Sequence, residues 1–131
     1  MNNELVRKIV GVVVGLIVAG IVIGMIETLS VRYLFPEAIA AMDPKNPSAM
    51  DAPILALVMV CVAQALGVWA GIATSFAISK GWRFSAVIIG ALFLLGALAN
   101  FFMIPHPLWF LPASLAAIII GIAIPIRRLK D

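Results

Sequence analysis

Apolar residues fall into four long runs along this 131-residue chain, and most polar residues lie in the stretches between them. Each run reaches the roughly 20 residues that a helix needs to cross the hydrocarbon core of a bilayer. The chain is therefore predicted to be an all-α membrane protein, a four-transmembrane-helix bundle forming a single membrane domain over 1–131. The predicted helices cover about 7–33, 53–79, 84–104 and 107–126.

The breaks between these runs carry turn-forming and charged residues. The 34–52 stretch holds three prolines and several charges, so we predict one longer loop there, between the first and second helices. A basic turn at 80–83 and a Pro-His-Pro break at 105–107 separate the remaining helices. Connections this short predict that the last three helices are consecutive antiparallel neighbours.

The composition excludes a soluble domain of this size. The chain is 64% hydrophobic and 11% charged, and its mean hydropathy is +1.19. Such a chain has too few polar groups to cover a water-exposed surface. Cys61 is the single cysteine, so an intrachain disulfide cannot form. Most basic residues flank the apolar runs, which indicates a protein that has the lipid bilayer as its partner and binds no nucleic acid.

The basic residues also predict the orientation. If both termini are cytoplasmic, one side of the membrane holds seven basic residues: Arg7, Lys8, Lys80, Arg83, Arg127, Arg128 and Lys130. The other side holds Arg32 and Lys45. Because cytoplasmic segments carry the excess of Lys and Arg, we predict cytoplasmic N and C termini and an outer 34–52 loop. The expected location is the bacterial cytoplasmic (inner) membrane, with several passes.

Small residues recur at helical spacing on the predicted helices. The first helix has two such pairs, Gly11 with Gly15 and Gly20 with Gly24. Helices in lipid associate through close packing of small residues. We expect these stripes to seal a four-helix monomer, and the alternative is that the first helix forms a homodimer seam.

Glu27 is the carboxylate that lies inside a predicted transmembrane helix. An ionisable group within a membrane is costly and by default marks a functional site. Gly20, Gly24 and Glu27 share one helix face, so the carboxylate is predicted to point into a helix interface. Two roles stay open: a structural bond, to Asn100 or Arg32 for example, or a proton or substrate role.

Further polar residues are predicted to lie at the same depth as Glu27. Asn100, His106 and Trp109 all fall in the outer half, so these four form the candidate binding or polar cluster. His106 has a simpler alternative as a turn residue satisfied by a cap or by water. One His and one Glu are too few for a metal site, so no metal and no cofactor is predicted. Gln64, near mid-membrane, is predicted to be structural, as interhelical glue.

Several segments carry a family resemblance. They are Met25–Glu27 leading to Tyr33 and Pro36, the loop 42–47, the small-residue row 63–73 and, above all, Ala99–Phe110. With these segments in this order, the chain resembles a group of uncharacterised small four-helix bacterial integral membrane proteins. That resemblance implies the architecture and draws attention to the same residues, and it implies no activity.

A second, weak similarity is to the small multidrug resistance transporters, which carry a proton-exchanging Glu in their first helix. Glu27 is the matching residue. This chain departs from that family in its long 34–52 connection, in the absence of aromatic residues around Glu27 and in its strong charge bias.

The sequence holds no nucleophile–base pair, phosphate loop or metal-ligand cluster, so no enzyme activity and no catalytic residue is predicted. Two functions are carried forward. The favoured one is a non-catalytic accessory or structural subunit, packed against itself as a homo-oligomer or against a larger membrane complex. The alternative is a small proton-coupled or solute transporter that uses an outer-half site of Glu27, Asn100 and His106.

Overall fold

The computed structural model describes residues 3–37, 45–46, 48–50 and 52–128, and these contain no strand. Four α-helices follow one another along the chain: α1 Asn3–Leu29, α2 Ile54–Ser79, α3 Phe84–Met103 and α4 Phe110–Arg128. All four are long and apolar enough to cross a membrane. Among the described residues, the prediction of an all-helical chain with four helices long and apolar enough to span a membrane is confirmed.

The ends of α1 and α4 differ from the predicted ones. α1 begins at Asn3 and continues beyond Leu29 into one wider, π-type turn over Ser30–Leu34, closed by a 3.0 Å bond from Phe35 N–H to the Ser30 oxygen. α4 begins at Phe110 because residues 107–109 form a tight turn, with Phe110 N–H donating to the Pro107 oxygen at 3.0 Å.

The seam between α1 and α2 is built from residues that lack side-chain bulk. A Cβ added at Gly15 would lie 2.6 Å from the Gly71 carbonyl oxygen, and one added at Gly71 would lie 2.5 Å from the Gly15 oxygen. Gly11 lies against Ser75 in the same way, one turn away. Each step of four residues forward along α1 matches a step of four backward along α2, so the helices are antiparallel and their backbones touch.

α2 is the central helix because it packs against each of the other three, whereas α1 and α4 do not pack on each other. Buried side chains of α2, α3 and α4 form the core: Val68, Ile72, Phe76, Ala86, Ile89, Ala97 and Ile118. α4 approaches α2 closely at Gly121, where an added Cβ would lie 2.6 Å from the Ala65 oxygen. Gln64 contacts Ser114, and Ala65, later on α2, contacts Gly121, later on α4. Residue numbers therefore increase in the same direction along both helices, so α2 and α4 run parallel.

Two groups of contacts define the ends of the bundle. At one end the Lys8 ammonium lies 5.2 Å from the centroid of the Trp82 ring, which places the start of α1 beside the α2–α3 turn. That turn reverses the chain through positive φ angles at Lys80 (56°) and Gly81 (79°). At the other end Ala49 N–H donates to the Pro105 oxygen at 2.8 Å, so part of the 34–52 loop is bonded to the α3–α4 turn.

Candidate functional site

Glu27 lies near the end of α1 that carries the 34–52 loop. The α1–α2 register places Ala19 against Gly67, and two further steps of four residues bring Glu27 level with Met59, one to two turns inside the start of α2. Its carboxylate is half-buried and, among the described residues, forms no hydrogen bond and no ion pair. An unpaired carboxylate at this depth is the most unusual polar group of the bundle.

An open recess of about 440 Å³ adjoins this carboxylate. Its described lining comes from Glu27, Thr28, Val31 and Arg32, all on α1 or its wide final turn. Arg32 lies over the Tyr33 ring, 5.9 Å from its centroid, and is not within ion-pair distance of Glu27. The recess therefore holds one carboxylate and one guanidinium, separate from each other and open to the surroundings of the bundle.

Gly20 and Gly24 do not lie between helices of this chain, so the prediction that they turn Glu27 into an interface is wrong for the single bundle. A Cβ added at either one would meet nothing within 4 Å, and both residues are exposed. The reason is rotational. The face that contacts α2 runs through Gly15 and Ala19, and residues one position further along a helix are rotated by about 100°. The outer half of α1 consequently presents its glycines outward.

His106 is held by the turn and by two aromatic rings. Its Nδ1 lies 2.6 Å from the Ile104 oxygen, and because a carbonyl oxygen can only accept, Nδ1 carries the proton. The imidazole stacks on the ring of Phe110, with 4.7 Å between centroids, and on the ring of Phe101, with 6.0 Å between centroids. Phe110 itself is 2% exposed, so this aromatic stack anchors the α3–α4 turn to the core.

The other two members of the predicted cluster face outward. Asn100 is exposed, and its backbone oxygen accepts a 3.0 Å bond from Ile104 N–H at the end of α3. Trp109 is 39% exposed and meets Phe110 edge-on at 6.1 Å. Within the described part of the chain no hydrogen bond or ion pair joins Glu27, Asn100, His106 and Trp109. Their function as one binding site stays a prediction.

Gln64 lies inside the bundle and bonds across helices. Its side-chain oxygen accepts a 2.6 Å hydrogen bond from the Ser114 hydroxyl, and Ser114 is 2% exposed. Two helices that could each cross a membrane are thus joined by a polar bond, which acyl chains, having no hydrogen-bonding groups, could not replace.

Sequence reasoning missed a groove between α2 and α4 of about 450 Å³, with Trp69 and Arg128 among its lining residues. The sequence indicates only a role in topology for Arg128. Small residues at four-residue spacing, Ala113, Ala117 and Gly121, are the sequence signal nearest to this groove. The groove itself depends on the parallel pairing of α2 with α4.

Together, the fold and these sites define a small multi-pass membrane protein. No family model, no curated protein and no solved structure matches the chain in the three comparisons made. Inferences about its function therefore rest on the residues and their geometry.

Proposed function

We propose that this is a non-catalytic accessory or structural protein of the bacterial cytoplasmic membrane, which binds another transmembrane helix through the outer half of α1. Both termini are cytoplasmic in this proposal, and the 34–52 loop lies outside. The distribution of Lys and Arg supports the orientation. So does the placement of Lys8 beside Trp82, which brings two basic segments to one end.

The observation that carries the proposal is the open face of α1. Gly20 and Gly24 have no neighbour within 4 Å of an added Cβ, and Glu27 follows them with no partner among the described residues. The Gln64 side chain, by contrast, is hydrogen-bonded to Ser114 on a neighbouring helix. Two glycines one turn apart permit the close backbone approach that helix pairs in lipid use, and a donor on the incoming helix would satisfy the carboxylate.

The test compares Gly24→Leu with Val13→Leu. Both positions are exposed on α1, and Val13 lies in its other half. Native membranes are extracted in a mild detergent and the mass of the particle is measured. We expect a particle heavier than the monomer, reduced to the monomer by Gly24→Leu and unchanged by Val13→Leu. A monomeric wild-type protein, or an assembly that resists Gly24→Leu, would contradict the proposal; the mass and composition distinguish a second copy from a larger complex.

A transporter is the second candidate, and the recess at Glu27 favours it, because an unpaired carboxylate open to the surroundings could exchange a proton. If the protein is a transporter, proteoliposomes that contain it take up a cationic dye under a pH gradient. Glu27→Gln then abolishes this uptake and leaves the particle mass unchanged. Uptake no greater than that of empty liposomes removes this candidate and leaves the accessory function in place.

A further inference from the structure

The groove between α2 and α4 has a floor of small residues and walls of large ones. Gly121 and Ala65 form the floor, since α4 approaches the α2 backbone there. Leu66 (45% exposed) on one helix and Ile120 (55% exposed) on the other stand beside it. Because both helices are membrane-spanning candidates, these exposed walls face acyl chains. The lining runs from Ile120 to Arg128, about 12 Å along α4 at the rise of an α-helix.

The groove ends at a cation. Arg128 lines it at the last residue of α4, and the end of the bundle where it lies also carries Lys8, Lys80 and Arg83. The carboxylate described at this end, Glu4, is ion-paired to Lys8 at 3.1 Å. The described side chains at this end of the bundle therefore carry a net positive charge, whereas the rest of the groove lining is apolar.

We propose that this groove binds an anionic phospholipid, with an acyl chain against Leu66 and Ile120 and the headgroup phosphate on Arg128. A guanidinium binds phosphate through paired N–H donors, and basic pockets between transmembrane helices are suited to acidic headgroups. In a zwitterionic lipid the headgroup's own ammonium group competes for the phosphate, so Arg128 favours a lipid of net negative charge. The site is separate from the outer half of α1, so it does not depend on the function proposed above.

Trp69 lines the groove and supplies the probe. A Trp82→Phe/Trp109→Phe variant leaves Trp69 as the one tryptophan. This variant is reconstituted in phosphatidylcholine vesicles that contain a small, equal fraction of either phosphatidylglycerol or phosphatidylcholine, brominated near the middle of the acyl chain. We expect brominated phosphatidylglycerol to quench Trp69 at several-fold lower mole fraction than brominated phosphatidylcholine.

Two arginine variants form the matched control. Arg128→Gln should raise the mole fraction of brominated phosphatidylglycerol that quenches Trp69 by about fivefold, to the value for brominated phosphatidylcholine. Arg127→Gln removes the same charge from a neighbouring residue outside the described lining and should leave the preference within twofold. Equal quenching by the two lipids would overturn the proposal, and so would equal losses in the two variants, which would indicate diffuse attraction to the surface.

A protein occupant would also overturn it. If a second copy fills the groove, neither lipid quenches Trp69 well, and Ile120→Cys, in a Cys61→Ala background, forms a disulfide-linked dimer in the membrane. Efficient quenching by phosphatidylglycerol with a monomeric Ile120→Cys variant is the result that the lipid site requires.

Discussion

Two polar side chains within the apolar stretches of the helices, Gln64 and Glu27, have opposite surroundings. Gln64 accepts a hydrogen bond from buried Ser114 on a neighbouring helix, whereas Glu27 has no described partner and adjoins an open recess. Hydrocarbon offers no hydrogen bonds, so a polar group in the membrane is satisfied within the protein or at a water-accessible surface. Gln64 is satisfied within the protein, whereas the Glu27 carboxylate adjoins the open recess, where a group from outside the chain can reach it.

A double-mutant cycle measures the Gln64–Ser114 bond. Gln64→Leu and Ser114→Ala each remove one partner, and we expect a coupling free energy of about 0.5–1.5 kcal/mol, the range found for polar bonds between membrane helices. Unfolding in mixed detergent micelles gives the four free energies. Thr74→Ala is the matched control because Thr74 bonds to Ala70 on its own helix at 2.7 Å. Its effect should add to that of Gln64→Leu, and a coupling near zero for Gln64 with Ser114 would refute the expectation.

Residue chemistry alone predicted that Gln64 bonds another helix and could not identify Ser114 as its partner. That identity depends on how α2 and α4 are rotated about their axes, and either helix presents several polar or small residues. The same limit applies to His106. The sequence places it in the turn between prolines, but its stack with Phe101 and Phe110 arises because the turn folds α4 back beside the end of α3.

At the scale of the elements, the α1–α2 seam predicts a sharp contrast between glycines of one helix. Gly15→Ala places a Cβ 2.6 Å from the backbone oxygen of Gly71, so the helices must separate or shift. We expect a loss of about 1–3 kcal/mol, as for other overpacked contacts. In the separated monomer, Gly24→Ala adds its methyl group in open space and should be neutral, or stabilising by up to about 1 kcal/mol through the higher helix propensity of Ala. Thermal unfolding in detergent measures both.

Gly71→Ala is a control for Gly15→Ala, because it adds a methyl group to the same α1–α2 contact from α2. Its Cβ would lie 2.5 Å from the Gly15 oxygen. Its loss should resemble that of Gly15→Ala. If all three variants have the same stability as the wild-type protein, α1 does not contact α2 in the way described.

The existence of four helices followed from the length of the apolar runs, because a run of this length and composition has few alternatives to a spanning helix. The identity of the contacting face did not follow. Gly11 with Gly15 and Gly20 with Gly24 are equivalent as sequence patterns, but corresponding glycines are nine residues apart, so the second pair is rotated by about 180° around the helix. Only the partner surface, here Gly71 and its neighbours on α2, distinguishes them.

At the scale of the whole molecule, the contacts separate two ends, and the proposed orientation assigns them to the two sides of the membrane. In a Cys61→Ala background, a cysteine at Asn46 should react with a membrane-impermeant maleimide added to intact cells. A cysteine at Asn3 should react only after the membrane is opened. Both positions are exposed and uncharged, so the substitutions leave the count of basic residues unchanged. The reverse pattern of labelling would refute the orientation.

The central position of α2 has a consequence for biosynthesis. α1 leaves the ribosome first, yet its buried positions Gly11, Gly15 and Ala19 belong to a contact with α2. Since α3 and α4 also pack on α2, stable assembly cannot start before α2 enters the membrane. Until α2 has entered, these positions of α1 lack the helix that buries them, so we expect a polypeptide that stalls within the 34–52 loop to be more sensitive to membrane proteases than the full chain.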